Sequence, residues 1–171
     1  RVVGARAPDV VASLLDLPRA GVEGLPPLGH LTGVNGLFVV KADDTVEAAF
    51  DLWMPAERRE GIAAAIGAAG AIALSQEMGE SLRVAAGRPA FGQGMTPETI
   101  PLEAGLLDRA ISTTKGCYVG QEVIIRVLHR GGGRVARRLV RLVLDDVAGG
   151  VPPAGAGISA GGTDVGRVTS A

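Results

Sequence analysis

Eight consecutive residues, Lys115-Gly-Cys-Tyr-Val-Gly-Gln-Glu122, hold the only cysteine and the only tyrosine of the chain, two glycines and a Lys/Glu pair. A thiol next to glycine and near Lys115, on an expected exposed turn, suits reactive-thiol chemistry, because cations and free backbone N–H groups favour the thiolate. The glycines let backbone approach a ligand closely and leave N–H groups for anions. Tyr118 offers a ring face and a hydroxyl. Six arginines follow within sixteen residues: Arg126, Arg130, Arg134, Arg137, Arg138 and Arg141. Guanidinium forks of this kind hold carboxylates and phosphates. A plainer reading competes with this one: Cys117 as a small buried filler, Tyr118 as packing, the arginines as a solvated face. No histidine or aspartate adjoins Cys117, and His129 meets it only through the fold, so a cysteine-protease arrangement is unsupported.

Glu103 is the second residue of note. It stands between Leu102 and Leu106-Leu107 in a largely uncharged stretch. Such a carboxylate either faces solvent or points into a pocket, where it accepts two N–H bonds from a planar amidine-like group. Bidentate pairing of that kind is strong and geometrically selective. Other chemistries find little support. Gly92-Gln-Gly94 supplies only two glycines of a dinucleotide fingerprint and opens no clear helix, and no phosphate-loop GK[ST] occurs. One cysteine excludes an internal disulfide, and three Cys/His residues in all fall short of the about four ligands of a structural zinc site. His30, alone in a loop, reads as solvated or locally bonded. The net charge of −1 argues against a general nucleic-acid binder, and five aromatics offer no stacking platform for RNA. No apolar run approaches a membrane span, and the expected compartment is the cytoplasm. The chain starts at Arg1 and stops just after the strand-like Val165-Gly-Arg-Val-Thr-Ser170, and is expected to be part of a longer protein.

The elements that must position these residues follow from periodicity. Arg1 to Ala5 reads as a short strand. Pro8 and Asp9 open a helix with Val10, Val11, Leu14, Leu15 and Leu17 on one face, and Pro18 stops it. Residues 20–35 read as loop with at most one short strand. Strands are expected over Gly36–Lys41 and Thr45–Met54, a helix from Pro55 to Ala69, and a strand over Ala71–Leu74. That order is β-α-β-β-α-β, the split unit of ferredoxin-like domains. Ser75 caps a further helix that Gly87 closes, with Met78 as core filler. Val123–Leu128 and Leu139–Leu144 are β-branched apolar runs separated by Gly131-Gly-Gly133 and read as two strands. In the first, Arg126, Leu128 and Arg130 share one face and Ile125, Val127 and His129 the other. After Asp145-Asp146 the chain reads as Gly/Pro-rich loop through Gly162, and Val165–Ser170 as a last strand.

Lys115–Glu122 resembles the signature of the YgfZ-type folate-binding proteins. These are relatives of the glycine-cleavage T-protein, an aminomethyltransferase, and their mitochondrial counterparts act in iron–sulfur cluster assembly. Leu82-Arg-Val-Ala-Ala-Gly-Arg-Pro-Ala-Phe-Gly92, Pro101-Leu-Glu-Ala-Gly105, Gly133-Arg-Val-Ala-Arg-Arg-Leu139 and Val165-Gly-Arg-Val-Thr-Ser170 resemble further motifs of that family in the same order. The resemblance covers residues 80–171 well and the earlier part in outline. It implies an α+β architecture of three parts around a folate cavity. These are a ferredoxin-like domain over 1–87, the second half of a discontinuous folate-binding domain over 88–137, and the start of a C-terminal β-barrel over 138–171. It implies that Glu103 holds the pterin of tetrahydrofolate and that Arg134 lies at the folate. The octamer cysteine, here Cys117, marks the YgfZ branch. The T-protein's catalytic aspartate has no counterpart in these residues.

The resemblance therefore implies a tetrahydrofolate-binding protein that supports assembly or repair of iron–sulfur enzymes. In that reading Glu103 holds the pterin, Arg134 and Arg126 the glutamyl tail, Tyr118 and Lys115 complete the cofactor site, and Cys117 does redox or cluster chemistry. Its partners are folate and iron–sulfur enzymes or cluster-assembly proteins. Two alternatives stand beside it. One is a folate-dependent aminomethyltransferase of the T-protein kind. The other is a non-catalytic interaction module that uses the arginine patch.

Overall fold

A computed structural model describes residues 1–145 and 150–171 of the chain. It is an α+β protein that divides into two units, 1–88 and 89–171.

The first unit is built on a four-stranded antiparallel sheet of order β1-β4-β3-β2. Its strands are β1 (Val2–Val3), β2 (His30–Thr32), β3 (Phe38–Ala42) and β4 (Ala49–Trp53). Register is set by Val2 opposite Phe50 and by Val39 opposite Leu52. Helix α1 (Ala7–Leu15) begins with a proline in its first turn, as the sequence predicts, and ends at Asp16 in the left-handed region. Its apolar face lies on the sheet: Val10, Val11 and Leu15 join Val39 and Phe50 in one core, and Val11, Val39 and Phe50 are fully buried. Helix α3 (Arg59–Ala68), preceded by a 3-10 turn over Ala56–Arg58, adds Ile62 to that core.

Three expectations are corrected here. The stretch 20–35 is not plain loop: it contains helix α2 (Arg19–Glu23) as well as β2. The helix is held by Arg19, which donates to Glu23 one turn on at 3.1 Å and to Asp9 of α1 at 2.9 Å. Its C-terminal end is closed by Lys41, whose Nζ donates to the carbonyls of Glu23 and Leu25. Cations there offset the orphan carbonyls of a helix end. Second, Ala71–Leu74 forms no strand, so the full β-α-β-β-α-β order is not realised; Ile72 and Leu74 are exposed. The sheet is extended instead at its other edge, by β2. Third, helix α4 (Gln76–Ala85) is capped by Ser75, whose Oγ accepts from the Met78 N–H as predicted, but it buries no residue. Met78 is 53% exposed and is not core filler. His30 is part of β2 and packs its ring 5.0 Å from that of Phe38.

The second unit has less regular structure: α5 (Leu107–Ala110), α6 (Gln121–Ile125), a π-helical turn over Arg126–Arg130, and the hairpin of β5 (Gly157–Ala160) and β6 (Thr163–Arg167). Gly161 and Gly162 form its two-residue loop, both at positive φ, which matches the right-handed twist of the flanking strands. The predicted last strand is thus found three residues early at its C-terminal end. β5 corrects the reading of its residues as loop. Residues 146–149 of that expected loop, Asp146 among them, lie outside the described residues.

The two strands expected over Val123–Leu128 and Leu139–Leu144 are not formed. The first is helical. Its three β-branched residues favour a strand, but the segment is helical and only Ile124 of it is buried. Glu122 meets Arg126 one turn on at 3.3 Å, one of several small local contributions to the helix. Val140, Leu142, Val143 and Leu144 of the second are exposed and pair with no strand among the described residues.

Candidate functional site

Residues 96–122 hold their shape through side chains that bracket the backbone three residues away. Thr99 Oγ1 accepts from the Thr96 N–H at 2.9 Å, and the Thr99 N–H returns to the Thr96 carbonyl at 3.0 Å. The Glu103 N–H donates to the Ile100 carbonyl at 2.8 Å, while the Ile100 N–H reaches a Glu103 carboxylate oxygen at 3.4 Å. Ser112 Oγ accepts from the Lys115 N–H at 3.2 Å. Gln121 Oε1 accepts from the Tyr118 N–H at 3.1 Å, and the Gln121 N–H donates back to the Tyr118 carbonyl at 3.2 Å. Such brackets replace the ladder bonds that irregular backbone lacks.

Glu103 is the one buried charged residue among the described residues, at 8% exposure. Its burial excludes the solvent-facing alternative that the sequence left open. Among the described residues its side chain has one hydrogen bond, the long one from the Ile100 N–H, so most of its lone pairs remain available. The carbonyl of Glu103 accepts from the Leu139 N–H at 2.8 Å, which ties the segment after the triple glycine to this turn.

The octamer opens with Lys115, whose Nζ sits 4.5 Å above the Tyr118 ring, a cation–π contact. Cys117 is an exposed free thiol, which excludes its reading as buried filler. Gly120 has φ +83 and starts α6. A left-handed residue there turns the chain from the octamer into the helix, a conformation that glycine adopts without a Cβ penalty. Arg126 pairs with Glu122, and Arg134 is exposed beyond the triple glycine.

Between the 97–101 segment and the octamer lies a hollow of about 380 Å³. Pro101, Ile111, Tyr118, Val123 and Ile124 line it, with Glu98 among its walls. Hydrogen bonds from Thr96 and from its own backbone N–H hold the Glu98 carboxyl below the usual carboxylate range. Of the six residues singled out in the sequence, Tyr118 lines this hollow; Glu103 and Arg134 do not. Lys115 and Tyr118 are brought together, as are Glu122 and Arg126. Sequence reasoning passed over Ser112 and Gln121. Their signal was an acceptor side chain three residues from the N–H that it receives.

The second unit thus offers a buried carboxylate, an ammonium on an aromatic face, an exposed thiol and an arginine-rich tail. Comparison with known proteins gives that inventory a setting. No family model matches the chain. It is 33% identical over 177 residues to an aminomethyltransferase of Streptomyces coelicolor, an alignment that takes in 99% of this chain and 46% of that protein. It is 34% identical over 155 residues to an aminomethyltransferase of Thermus thermophilus, covering 91% of this chain and 38% of the relative. It is also 41% identical over 103 residues to a putative chloroplastic transferase of Arabidopsis thaliana, covering 60% and 22%. The chain is therefore homologous to a part of proteins named aminomethyltransferase and spans less than half the length of these curated relatives. Those names favour the transferase alternative over the iron–sulfur reading and carry nothing specific to the YgfZ branch. No helix among the described residues is long and apolar enough to cross a membrane.

Proposed function

We propose that this chain is the folate-binding portion of an aminomethyltransferase-like protein. The observation that carries the reading is its homology, along 99% of its length, to an aminomethyltransferase. The donor set of the second unit suits the ligand. Glu103 keeps a buried carboxylate with open lone pairs, which suits two adjacent N–H donors on the edge of a pterin. Arg134 and Arg126 supply cations for the carboxylates of a glutamyl tail. Tyr118, with Lys115 on its ring, supplies an aromatic surface. Tetrahydrofolate, when bound, supplies the nitrogen that accepts a one-carbon unit; the residues of this chain bind and orient it.

In this reading 1–87 is a ferredoxin-like domain, 88–137 the second half of a discontinuous folate-binding domain, and 138–171 the start of a barrel. The first unit supports this in part: β1 and β3 run parallel with β4 between them, joined through α1. The test is calorimetric titration of the chain with tetrahydrofolate beside its Glu103→Gln variant. Saturable binding that the variant weakens is the expected result, and no binding to either protein defeats the reading.

A second reading rests on Cys117, an exposed free thiol inside the octamer. In it the folate protein sits in the cytoplasm and supports iron–sulfur enzymes or their assembly proteins. Cys117→Ala then leaves folate affinity unchanged and abolishes support of iron–sulfur enzyme activity in cells. Full support by the alanine variant removes the thiol from the mechanism.

A further inference from the structure

The sheet of the first unit gathers rings on the side that its helices leave. Phe38 of β3 and Trp53 of β4 stand directly opposite each other. Val39, Phe50 and Leu52 join α1 in the core, so alternation along the strands turns Phe38 and Trp53 to the other face. On β2, Thr32 stands across from Phe38, and the ring of His30, two residues earlier, lies 5.0 Å from the Phe38 ring. Three rings from three adjacent strands thus share one face. Phe38 is half-buried, His30 is exposed, and Trp53 is 65% exposed. Single exposed apolar side chains are ordinary on a protein surface. Neighbouring rings left bare together mark a contact site.

We propose that this face binds a flat heteroaromatic ring without negative charge, of the free nucleoside type, stacked on Trp53 and Phe38. Thr32 and His30 supply the polar groups at its edge that orient it. Charge beside the rings selects the ligand. Asp51 lies two residues from Trp53 on β4 and on the same face. Arg1 donates to both Asp51 oxygens at 2.7 and 2.9 Å and to both Asp44 oxygens at 2.8 Å. Its guanidinium is thereby committed, and two carboxylates against one cation leave that border of the rings negative. The whole unit agrees, since residues 1–88 hold eight Lys/Arg and eleven Asp/Glu. A phosphate chain is repelled there, which favours a free base over a nucleic-acid strand. The area argues against a protein partner. Two aromatic side chains cover about 150–250 Å² each, well short of the roughly 800 Å² per partner of a stable interface, and Thr32, Asp51 and Arg1 interrupt the apolar surface around them. The proposal concerns the first unit and is independent of the folate reading, which rests on residues of the second.

Trp53 is the only tryptophan, so its emission reports on this face alone. The test titrates the chain with adenosine and follows that emission, with calorimetry alongside. Saturable quenching is the expected result. Trp53→Leu, an exposed position whose loss spares the core, weakens calorimetric binding by at least about fivefold. Phe38→Leu weakens it by at least about threefold. Adenosine triphosphate binds more weakly than adenosine at low ionic strength, and added salt narrows the gap. Saturating tetrahydrofolate leaves the adenosine affinity unchanged. Five outcomes overturn the proposal: no saturable quenching, adenosine binding indifferent to Trp53→Leu, tighter binding of adenosine triphosphate or of a short deoxyadenosine oligonucleotide than of adenosine, Trp53 emission that shifts with protein concentration alone because a second copy covers the face, and displacement of adenosine by tetrahydrofolate. The last would leave the folate reading standing while removing this one.

Discussion

Replacing Glu103 by glutamine separates a binding role from a structural one by the sign of two measurements. In the free protein the carboxylate is 8% exposed and its contact to the Ile100 N–H is long, 3.4 Å. A buried charge with so little compensation contributes little to stability, and a neutral amide of the same shape is tolerated or preferred there. The turn around it is closed by backbone bonds that the substitution leaves alone, Glu103 N–H to the Ile100 carbonyl and Leu139 N–H to the Glu103 carbonyl. The melting midpoint is therefore expected to hold or rise. Ligand binding moves the other way. A carboxylate accepting two N–H bonds loses about 1–3 kcal/mol when one oxygen becomes an amide donor facing a donor, which is about 5- to 150-fold in affinity. Calorimetry with tetrahydrofolate gives the second quantity and a denaturant melt the first. Unchanged affinity refutes the assignment. So does a loss of affinity that merely tracks a loss of stability, because that pattern belongs to a residue that holds the turn together.

Three further outcomes are expected. The guanidinium of Arg1, hydrogen-bonded at 2.7 Å, holds the Asp51 carboxyl below its usual range. The pair is about one-third exposed, so Asp51→Asn costs about 0.5–1 kcal/mol at neutral pH. A depressed carboxylate contributes fully above its unfolded pKa and loses that contribution as pH falls through the folded value. The wild-type and variant urea midpoints therefore converge below about pH 4. Gly120→Ala puts a Cβ on a backbone at φ +83 with no atom within 4 Å of it. The cost is conformational alone, about 1–2 kcal/mol, read as faster amide exchange in α6. Phe50→Ala empties the centre of the first unit, where the ring is fully buried. A loss of about 3–5 kcal/mol in a chemical melt is expected.

Legibility in the sequence followed the physical source of each element. Helix α1 was legible because its apolar spacing, its proline at the start and Pro18 after it agree; Val10, Val11, Leu14 and Leu15 meet the core, whereas Leu17 lies past the helix end and is exposed. The Ser75 cap was legible for the same local reason. Val123-Ile-Ile125 misled because β-branched residues report packing on a pleated surface, and no neighbouring strand among the described residues provides one. The helix is set by Gly120, Gln121 and the Glu122–Arg126 pair, whose effects are individually small. Ala71–Leu74 misled in the same way: it has strand composition but gains no pairing partner. Helix α2 was missed because five residues are too few to show a period, although Arg19 and Glu23 stand at helical spacing. In the candidate site, Glu103 stood out because a charge among leucines is costly unless it is used. The Lys115–Tyr118 contact depends on how the octamer folds back on itself, which spacing alone does not fix.

The sheet of the first unit places its two shortest strands at its borders, two residues in β1 and three in β2, with five-residue strands inside. A border that short exposes too few unsatisfied amides and carbonyls to recruit a foreign strand. At one of them Arg1 adds a charged staple to Asp44 and Asp51. Short, charge-stapled borders of this kind disfavour edge-to-edge pairing of the sheet.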